Sequence, residues 1–333
     1  MSSNLKYAVF GSGSWATAIV KMLCENLDEV GWYVRKKQTI DYILSEEHNP
    51  SYLSSVELHT SQLKLDGDIN KLADYADVLI FAIPSAFMAT ELAKLKSDIS
   101  SKIIVSAVKG IVPESGLLVA EHFNAKHSID LSNIAVLAGP CHAEEVALER
   151  LSYLTIACTT LSVAEEVAGQ FSSHYIRTKT HDDVIGAEYA AMLKNIYAIA
   201  AGIAHGLGYG DNFQSVLMSN ATREMKRFIK SVHKMKRNIN ETVYLGDLLV
   251  TGYSVFSRNR MFGNMIGKGY TVKSAQMEMS MIAEGFYATK SAFLIHQESK
   301  TPSKAPIINT VYEILYLNKN PKKSFKKLTE KLC

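Results

Sequence analysis

The chain has 333 residues, with 36 Lys and Arg against 33 Asp and Glu, and a net charge of +3. A 47% apolar and 21% charged composition is typical of a soluble globular protein of about two domains, and it excludes disorder. No apolar run approaches the roughly 20 residues of a membrane span. We expect no signal peptide, no disulfide scaffold and a cytoplasmic location, since the four Cys residues lie far apart.

The first half of the chain alternates apolar runs with helical patterns. A helix is predicted at residues 15–26. Strands are predicted at residues 7–10, 30–34, 78–83, 103–108, 134–138 and 154–158, and several of them end at Gly or Pro. This alternation predicts a parallel sheet whose strand ends share one edge, where ligands bind.

The composition of the chain shifts near residues 182–186, after which few strand-like runs occur. Helical patterns follow at residues 187–204, 212–236, 242–251, 273–297 and 305–317. The sequence therefore predicts an α/β protein. A Rossmann-like parallel-sheet domain is expected at residues 1–185 and an all-α domain at residues 186–333.

A glycine-rich loop follows the first predicted strand and precedes the first predicted helix. Its GxGxxA pattern at residues 11–16 has Gly11 for a tight turn and Gly13 for close approach of a pyrophosphate. Ala16 is small enough for the helix to pack on the strand. The alternative is an ordinary glycine turn, but the strand before it and the helix after it favour a dinucleotide site.

The end of the second predicted strand carries basic residues. NAD-binding proteins usually place an acid there, but residues 30–40 contain none. Arg35 and Lys36 would instead attract a 2′-phosphate, so we expect NADP to be accepted beside NAD. Lys37 is equally consistent with a solvated charge.

One lysine lies in the most apolar helical segment. Lys194 is the one charged residue between Glu188 and Asp211, and small alanines share its stripe. Burial disfavours the ammonium form and lowers a lysine pKa from about 10.4, so such a lysine can exchange a proton with an alcohol or ketone oxygen. The alternative is a lysine that extends to the surface.

Several segments occur in a fixed order along almost the whole chain: GSGSWATA (11–18), VKG (108–110), AGPCHAEE (138–145), LKNIYAIAAGIAHGLGYGDN (193–212), LGDLLVT (245–251), SRNRMFG (257–263) and AEG (283–285). Together they resemble NAD(P)-dependent glycerol-3-phosphate dehydrogenase of the bacterial biosynthetic kind. The resemblance implies reversible reduction of dihydroxyacetone phosphate to sn-glycerol 3-phosphate, which supplies phospholipid synthesis. It also implies a homodimer in which residues 1–185 of each chain bind the dinucleotide and residues 186–333 bind the substrate.

The resemblance also implies residue roles, which add to those of the glycine loop and the basic strand end. The implied catalytic residues are Lys194 as the proton donor and acceptor, with Asp247 and Lys109. Cofactor contacts are expected from Gly11, Gly13, Ser14, Trp15, Arg35, Lys36, Lys109, Ala143, Arg258, Ile282 and Glu284. Substrate contacts are expected from Lys109, Gly139, Cys141, Lys194, Asn195, Asp247, Ser257, Arg258 and Asn259. No metal is expected, because a nicotinamide itself supplies the hydride.

Three residues depart from the family pattern: His205, where the family often carries Asp, and two neighbours in the loop at residues 138–145. Cys141 replaces a usual Ser or Thr, and His142 replaces a usual apolar aromatic residue. They could be a tolerated variation, a nucleophile pair or a metal pair. Tolerated variation is favoured, since adjacent side chains rarely converge on one atom and no other Cys or His cluster completes a metal site.

Three other functions remain open. A related hydroxyacid or 6-phosphogluconate dehydrogenase would not need the SRNR and GDLLVT segments. A noncatalytic nucleotide sensor would not need Lys109, Lys194 and Asp247 together. The basic segments 226–237 and 321–331 could contact anionic lipid, but solvated helix faces explain them better, so any membrane contact is peripheral. Nucleic-acid binding is not expected.

Overall fold

The computed structural model describes residues 5–279, 283–299 and 304–332. The chain divides into two compact units. The first comprises the described residues of Met1–Val108 and Leu117–Val184, and the second those of Lys109–Gly116 and Ile185–Cys333. This division differs from a single boundary at residue 185, because the short segment after Val108 belongs to the second unit.

The strands are β1 (Tyr7–Phe10), β2 (Val30–Tyr33), β3 (Leu63–Asp66), β4 (Val78–Phe81), β5 (Ile103–Ser106), β6 (Ile111–Val112), β7 (Leu117–Leu118), β8 (Ile134–Ala138), β9 (Ser152–Cys158) and β10 (Ile176–His181). Eight of them form the sheet of the first unit, in the order β10-β9-β8-β5-β4-β1-β2-β3. The central strands β1 and β4 are fully buried, as expected for a parallel sheet covered on both faces.

The predicted parallel sheet is confirmed with one exception. Neighbouring strands from β3 through β2, β1, β4 and β5 to β8 pair in parallel, and so do β9 and β10, whereas β8 and β9 run antiparallel. Strands β3 and β10 were not predicted. Both lie at an edge of the sheet, and their sequences Leu-Lys-Leu-Asp and Ile-Arg-Thr-Lys-Thr-His lack the apolar run of a central strand.

Seven helices accompany this sheet in the described part of the first unit: α1 (Ser14–Cys24), α2 (Lys37–Glu46), α3 (Ile69–Tyr75), α4 (Met88–Leu92), α5 (Val119–His127), α6 (Ala143–Ala147) and α7 (Leu161–Phe171). Short 3₁₀ turns occur at Thr60–Gln62, Ser85–Phe87 and Leu131–Asn133. Helix α1 begins directly after the glycine loop, as predicted.

The described part of the second unit is helical, as predicted, apart from the two-residue strand β6. Its helices are α8 (Val184–Gly206), α9 (Asp211–Val232), α10 (Asp247–Tyr253), α11 (Arg258–Gly267), α12 (Val272–Glu278), α13 (Glu284–Glu298), α14 (Pro306–Tyr316) and α15 (Pro321–Thr329). One π-helical turn, Thr242–Gly246, precedes α10. The prediction of one helix at residues 273–297 was wrong, since Glu278 ends α12 and α13 starts at Glu284; residues 280–282 lie outside the described part.

Two helices of the second unit meet through glycine. A Cβ atom on Gly202 of α8 would overlap the carbonyl oxygen of Arg260, and one on Gly263 of α11 would overlap that of Ile199. Gly206 and Gly267 repeat the arrangement one turn further along. Helices α8 and α11 therefore touch main chain to main chain, which only residues without a side chain permit.

A buried carboxylate joins α9 to the start of α14. Glu224 is fully buried, and its two oxygens accept hydrogen bonds from the backbone N–H groups of Ile307 and Ile308, each at 2.9 Å. These donors are among the N–H groups that a helix start leaves unpaired. Burial nevertheless dominates and raises the pKa of Glu224 from 4.5 to about 7.

We expect this carboxyl group to make stability depend on pH. Because its pKa is higher in the folded chain, the folded form keeps a proton that the unfolded form releases. The free energy of unfolding should therefore be highest below about pH 4.5 as far as this group is concerned, and fall by on the order of 3 kcal/mol up to about pH 7.

Urea denaturation between pH 5 and 8 measures this effect in the wild type and in Glu224→Gln. The neutral amide cannot titrate, so the difference in unfolding free energy between the two proteins should change with pH. Parallel pH profiles for the two proteins would contradict the role of Glu224.

Candidate active site

The glycine loop of the first unit has the backbone shape that a phosphate site needs. Gly11 has φ +127°, and a Cβ there would lie 2.7 Å from the carbonyl oxygen of Ala82. A Cβ on Gly13 would meet no atom within 4 Å. The start of α1 at Ser14 thus faces open space beside Gly13, where free N–H groups and the helix dipole favour an anion.

Two side chains that the sequence analysis did not single out hold this loop. The indole Nε1 of Trp32 donates to the carbonyl oxygen of Gly11 at 2.7 Å. The amide of Asn49, which is fully buried, donates to the carbonyl of Ser12 at 3.2 Å and to the hydroxyl of Thr17 at 2.9 Å. Both residues lie far from the GxGxxA pattern in the sequence and reach the loop only through tertiary packing. The pattern alone therefore does not identify them.

A pocket adjoins the glycine loop. Its lining comprises Gly11, Ser12, Gly13, Tyr33, Arg35, Tyr52, Ala82, Ile83, Pro84, Phe87 and Glu91. Glycine N–H groups, a guanidinium and an apolar wall in one pocket fit a dinucleotide with its phosphates, ribose and flat base. Arg35 lines this pocket together with Gly11 and Gly13. Lys36 is exposed and is not part of the lining, and Trp15 is partly buried at the start of α1.

The loop after β8 has a second glycine with special backbone geometry. Gly139 has φ +125°, and a Cβ there would lie 2.6 Å from the carbonyl oxygen of Tyr153. The buried thiol of Cys141 donates to that same carbonyl at 3.2 Å. His142 precedes α6, of which Ala143 is the first residue. Among the described residues, no group of three or more His, Cys, Asp or Glu is arranged to hold a metal ion.

A buried ion pair lies in the second unit. Lys194, in the middle of α8, is 3% exposed, and its Nζ donates to Oδ1 of Asp247, which is 2% exposed. Residues 187–204 of α8 are all buried, so the lysine does not extend to the surface. Burial of two opposite charges is tolerable only when they are paired.

The second oxygen of Asp247 is also informative. Oδ2 is buried and accepts no hydrogen bond from the protein as far as the chain is described. Such an oxygen needs a donor, which a bound hydroxyl compound can supply. Asp247 follows the π-helical turn Thr242–Gly246, a distortion that is frequent at functional sites.

Asparagine side chains connect the neighbouring segments. Nδ2 of Asn195 donates to the carbonyl of Lys109 at 3.3 Å, and Oδ1 of Asn195 accepts from Nδ2 of Asn259 at 2.9 Å. Oδ1 of Asn259 accepts from the backbone N–H of Gly285 at 2.9 Å. The first of these bonds ties the segment that begins at Lys109 to α8 of the second unit. Together the bonds form an asparagine network, in which the backbone of Lys109 and the side chain of Asn259 both contact Asn195, the residue that follows Lys194.

The remaining predicted residues lie at two helix starts. Ser257 caps α11 and accepts from the N–H of Arg260 at 3.3 Å, while Arg258 is exposed in the first turn. Glu284 is the first residue of α13 and is partly buried. Ile282 lies outside the described residues.

Comparison with known proteins gives a consistent result. The family model described as the N-terminus of NAD-dependent glycerol-3-phosphate dehydrogenase matches residues 6–164, and that of the C-terminus matches residues 183–326. Glycerol-3-phosphate dehydrogenase (NAD(P)+) of Bacillus subtilis (strain 168) is 36% identical over 313 residues, covering 93% of this chain and 90% of that protein. The enzyme of the same name from Enterococcus faecalis is 34% identical over 330 residues, covering 97% and 95%.

Solved structures agree with the sequence relatives. The crystal structure of glycerol-3-phosphate dehydrogenase from Coxiella burnetii has a TM-score of 0.88 and 26% identity, covering 98% of this chain and 99% of that one. Among the described residues, no helix is long and apolar enough to cross a membrane. The two family models together match most of the sequence, and the chain therefore belongs to the NAD-dependent glycerol-3-phosphate dehydrogenase family.

Proposed function

We propose that this oxidoreductase reversibly reduces dihydroxyacetone phosphate to sn-glycerol 3-phosphate with NADH or NADPH, and so supplies glycerol 3-phosphate for phospholipid synthesis. The observation that carries the proposal is the buried pair of Lys194 and Asp247 beside the asparagine network. A lysine ammonium without access to bulk water, held by one carboxylate oxygen while the other oxygen lacks a protein donor, is suited to a small hydroxyl or ketone substrate.

The coenzyme belongs to the first unit in this proposal. Gly11, Gly13 and the N–H groups at Ser14 and Trp15 hold the pyrophosphate, while Arg35 faces the adenosine ribose from the pocket lining. Lys36 is proposed to act beside Arg35 on its sequence position alone. The nicotinamide supplies or takes the hydride when bound. Further cofactor contacts are proposed for Lys109, Ala143, Arg258, Ile282 and Glu284, on the resemblance alone.

Lys194 performs the proton transfer in the proposed mechanism. When a hydride reaches the ketone carbon, negative charge develops on the oxygen, and the Nζ of Lys194 donates the proton that neutralises it. Asp247 holds the ammonium in position and offsets the cost of its burial. In the reverse direction the neutral amine accepts the proton from the alcohol. Lys109, whose backbone carbonyl accepts from Asn195, is proposed to assist through the positive charge of its side chain.

The substrate phosphate is assigned to the start of α11. Arg258 is a planar guanidinium suited to a phosphate, and it lies one residue from Asn259 of the asparagine network. Ser257 holds the helix start through its capping bond. The loop with Gly139 and Cys141 is proposed to contact the substrate as well, with the thiol held by Tyr153.

The assay that tests the proposal measures oxidation of NADPH and of NADH with dihydroxyacetone phosphate. Lys194→Ala should reduce kcat by on the order of 100- to 10,000-fold, the range of general acid catalysis, while NADPH binding measured by fluorescence stays the same. Lys226→Ala, an exposed lysine of α9, is the matched control and should keep full activity.

Since Lys194→Ala leaves Asp247 buried without its partner, the double variant Lys194→Met with Asp247→Asn checks folding with both charges removed. A normal rate in Lys194→Ala would refute the mechanism. Activity of the wild type with a hydroxyacid but not with dihydroxyacetone phosphate would refute the substrate, and NADPH binding without any turnover would indicate a sensor.

The phosphate assignment predicts a different kinetic defect for Arg258→Ala. Losing a charged hydrogen-bond donor should raise KM for dihydroxyacetone phosphate by roughly 10- to 100-fold, with a smaller change in kcat. Lys273→Ala, an exposed cation on α12, is the control. An unchanged KM in Arg258→Ala would place the phosphate elsewhere.

The homodimer is proposed from the resemblance, and the cytoplasmic location from the four widely separated Cys residues. Large exposed apolar side chains in the second unit, such as Val255, Phe256 and Met277, offer surface for a subunit contact. Light scattering during gel filtration should give a mass of about twice the 36.8 kDa of one chain. A mass of one chain over the micromolar range would contradict the dimer.

A further inference from the structure

A carboxylate that the sequence motifs do not include lies at the end of β2. Glu91 belongs to α4, after β4, and is 4% exposed. Its Oε2 accepts from the hydroxyl of Tyr33 at 2.9 Å, and its Oε1 accepts from Nη1 of Arg35 at 3.2 Å. The Nζ of Lys94 donates to both oxygens at 2.8 Å.

These donors use the whole accepting capacity of the carboxylate. A carboxylate offers about four lone-pair sites, and Tyr33, Arg35 and Lys94 together occupy that number. Burial opposes ionisation of Glu91, but the hydrogen bonds from Lys94 and Tyr33 outweigh it and hold its pKa below the usual value. Glu91 is therefore an anion with no capacity left for a ribose hydroxyl.

The two cations, in contrast, remain accessible. The side chain of Arg35 is 63% exposed and that of Lys94 is 44% exposed, against 6% for Glu91. The cluster of Arg35, Glu91 and Lys94 carries a net charge of +1, since two cations share one anion. A ligand phosphate that approaches Arg35 therefore meets a guanidinium that is oriented by its hydrogen bond to Glu91. The carboxylate of Glu91 also partly neutralises the positive charge of this guanidinium.

We propose that Glu91 is a positioning residue that sets coenzyme selectivity, because it orients Arg35 and offsets the cluster's positive charge so that NADH competes with NADPH. The proposal rests on the proposed role of Arg35 at the adenosine ribose. It also explains how a strand end without an acid serves both coenzymes: the carboxylate comes from α4 and acts on the arginine, not on the ribose.

Calorimetric binding of two coenzyme fragments tests the proposal without turnover. ADP-ribose lacks the 2′-phosphate and 2′-phospho-ADP-ribose carries it. In Glu91→Gln the amide keeps the size of the side chain but removes the anion, so the cluster charge rises to +2. The affinity ratio in favour of the phosphorylated fragment should rise about 5- to 10-fold, and it should fall more steeply with salt.

A set of variants distinguishes selectivity from structure. Lys94→Gln should shift the ratio in the opposite direction, and Arg35→Ala combined with Glu91→Gln should show a smaller shift than Glu91→Gln alone. Glu149→Gln is the matched control, since Glu149 pairs with Lys21 at 2.7 Å and does not line the pocket, and its ratio should equal that of the wild type.

An unchanged or lowered ratio in Glu91→Gln would overturn the proposal, and so would an equal loss of affinity for both fragments, which indicates a structural role only. Failure of the wild type to bind either fragment would overturn the pocket assignment and this proposal with it. A wild type that binds both fragments but does not reduce dihydroxyacetone phosphate would refute the proposed reaction and leave the role of Glu91 intact.

Discussion

The buried pair of Lys194 and Asp247 is the constraint on which the helical unit depends. Neither charge is acceptable alone in so apolar a setting, since transfer of one ion from water costs several kcal/mol. The pair therefore holds α8 and α10 in one relative position. Asn195 follows Lys194 on the same helix, and its amide joins the segment at Lys109 to Asn259 of α11, which in turn accepts from Gly285 of α13. The ion pair and the adjoining amides thus connect five parts of the chain.

Much of this arrangement could be predicted from the sequence. The elements and residues that could not be predicted share physical reasons. Local sequence patterns predict the buried strands β1 and β4, as apolar runs, and the glycine loop, as GxGxxA. A local pattern also identifies Lys194, as the one charge in an apolar helix. The edge strands β3 and β10 were missed because solvent on one side permits polar residues. Glu91 and Asn49 were missed because each contacts the strand end or the loop across a long stretch of chain, 58 residues from Tyr33 to Glu91 and 32 from Thr17 to Asn49, a pairing that only the folded sheet creates.

Charge in the coenzyme pocket is assembled in the same way, from separate elements. The end of β2 contributes Tyr33 and Arg35, and Glu91 and Lys94 come from the segment after β4, the strand on the other side of β1. The local sequence around Arg35 indicates attraction for a phosphate. The neighbouring carboxylate moderates that attraction, so the electrostatic character of the pocket belongs to the cluster and not to any one of its residues.

The glycines of α8 and α11 have a consequence for how this molecule tolerates change. Gly202 and Gly263 meet the opposite helix through peptide groups, so the separation of the two axes is fixed by the main chain itself. Substitutions elsewhere on these helices alter volume and polarity but leave that separation alone. The distance between Asn195 and Asn259 is therefore set by contact between the two main chains, and it does not depend on the size of the neighbouring side chains.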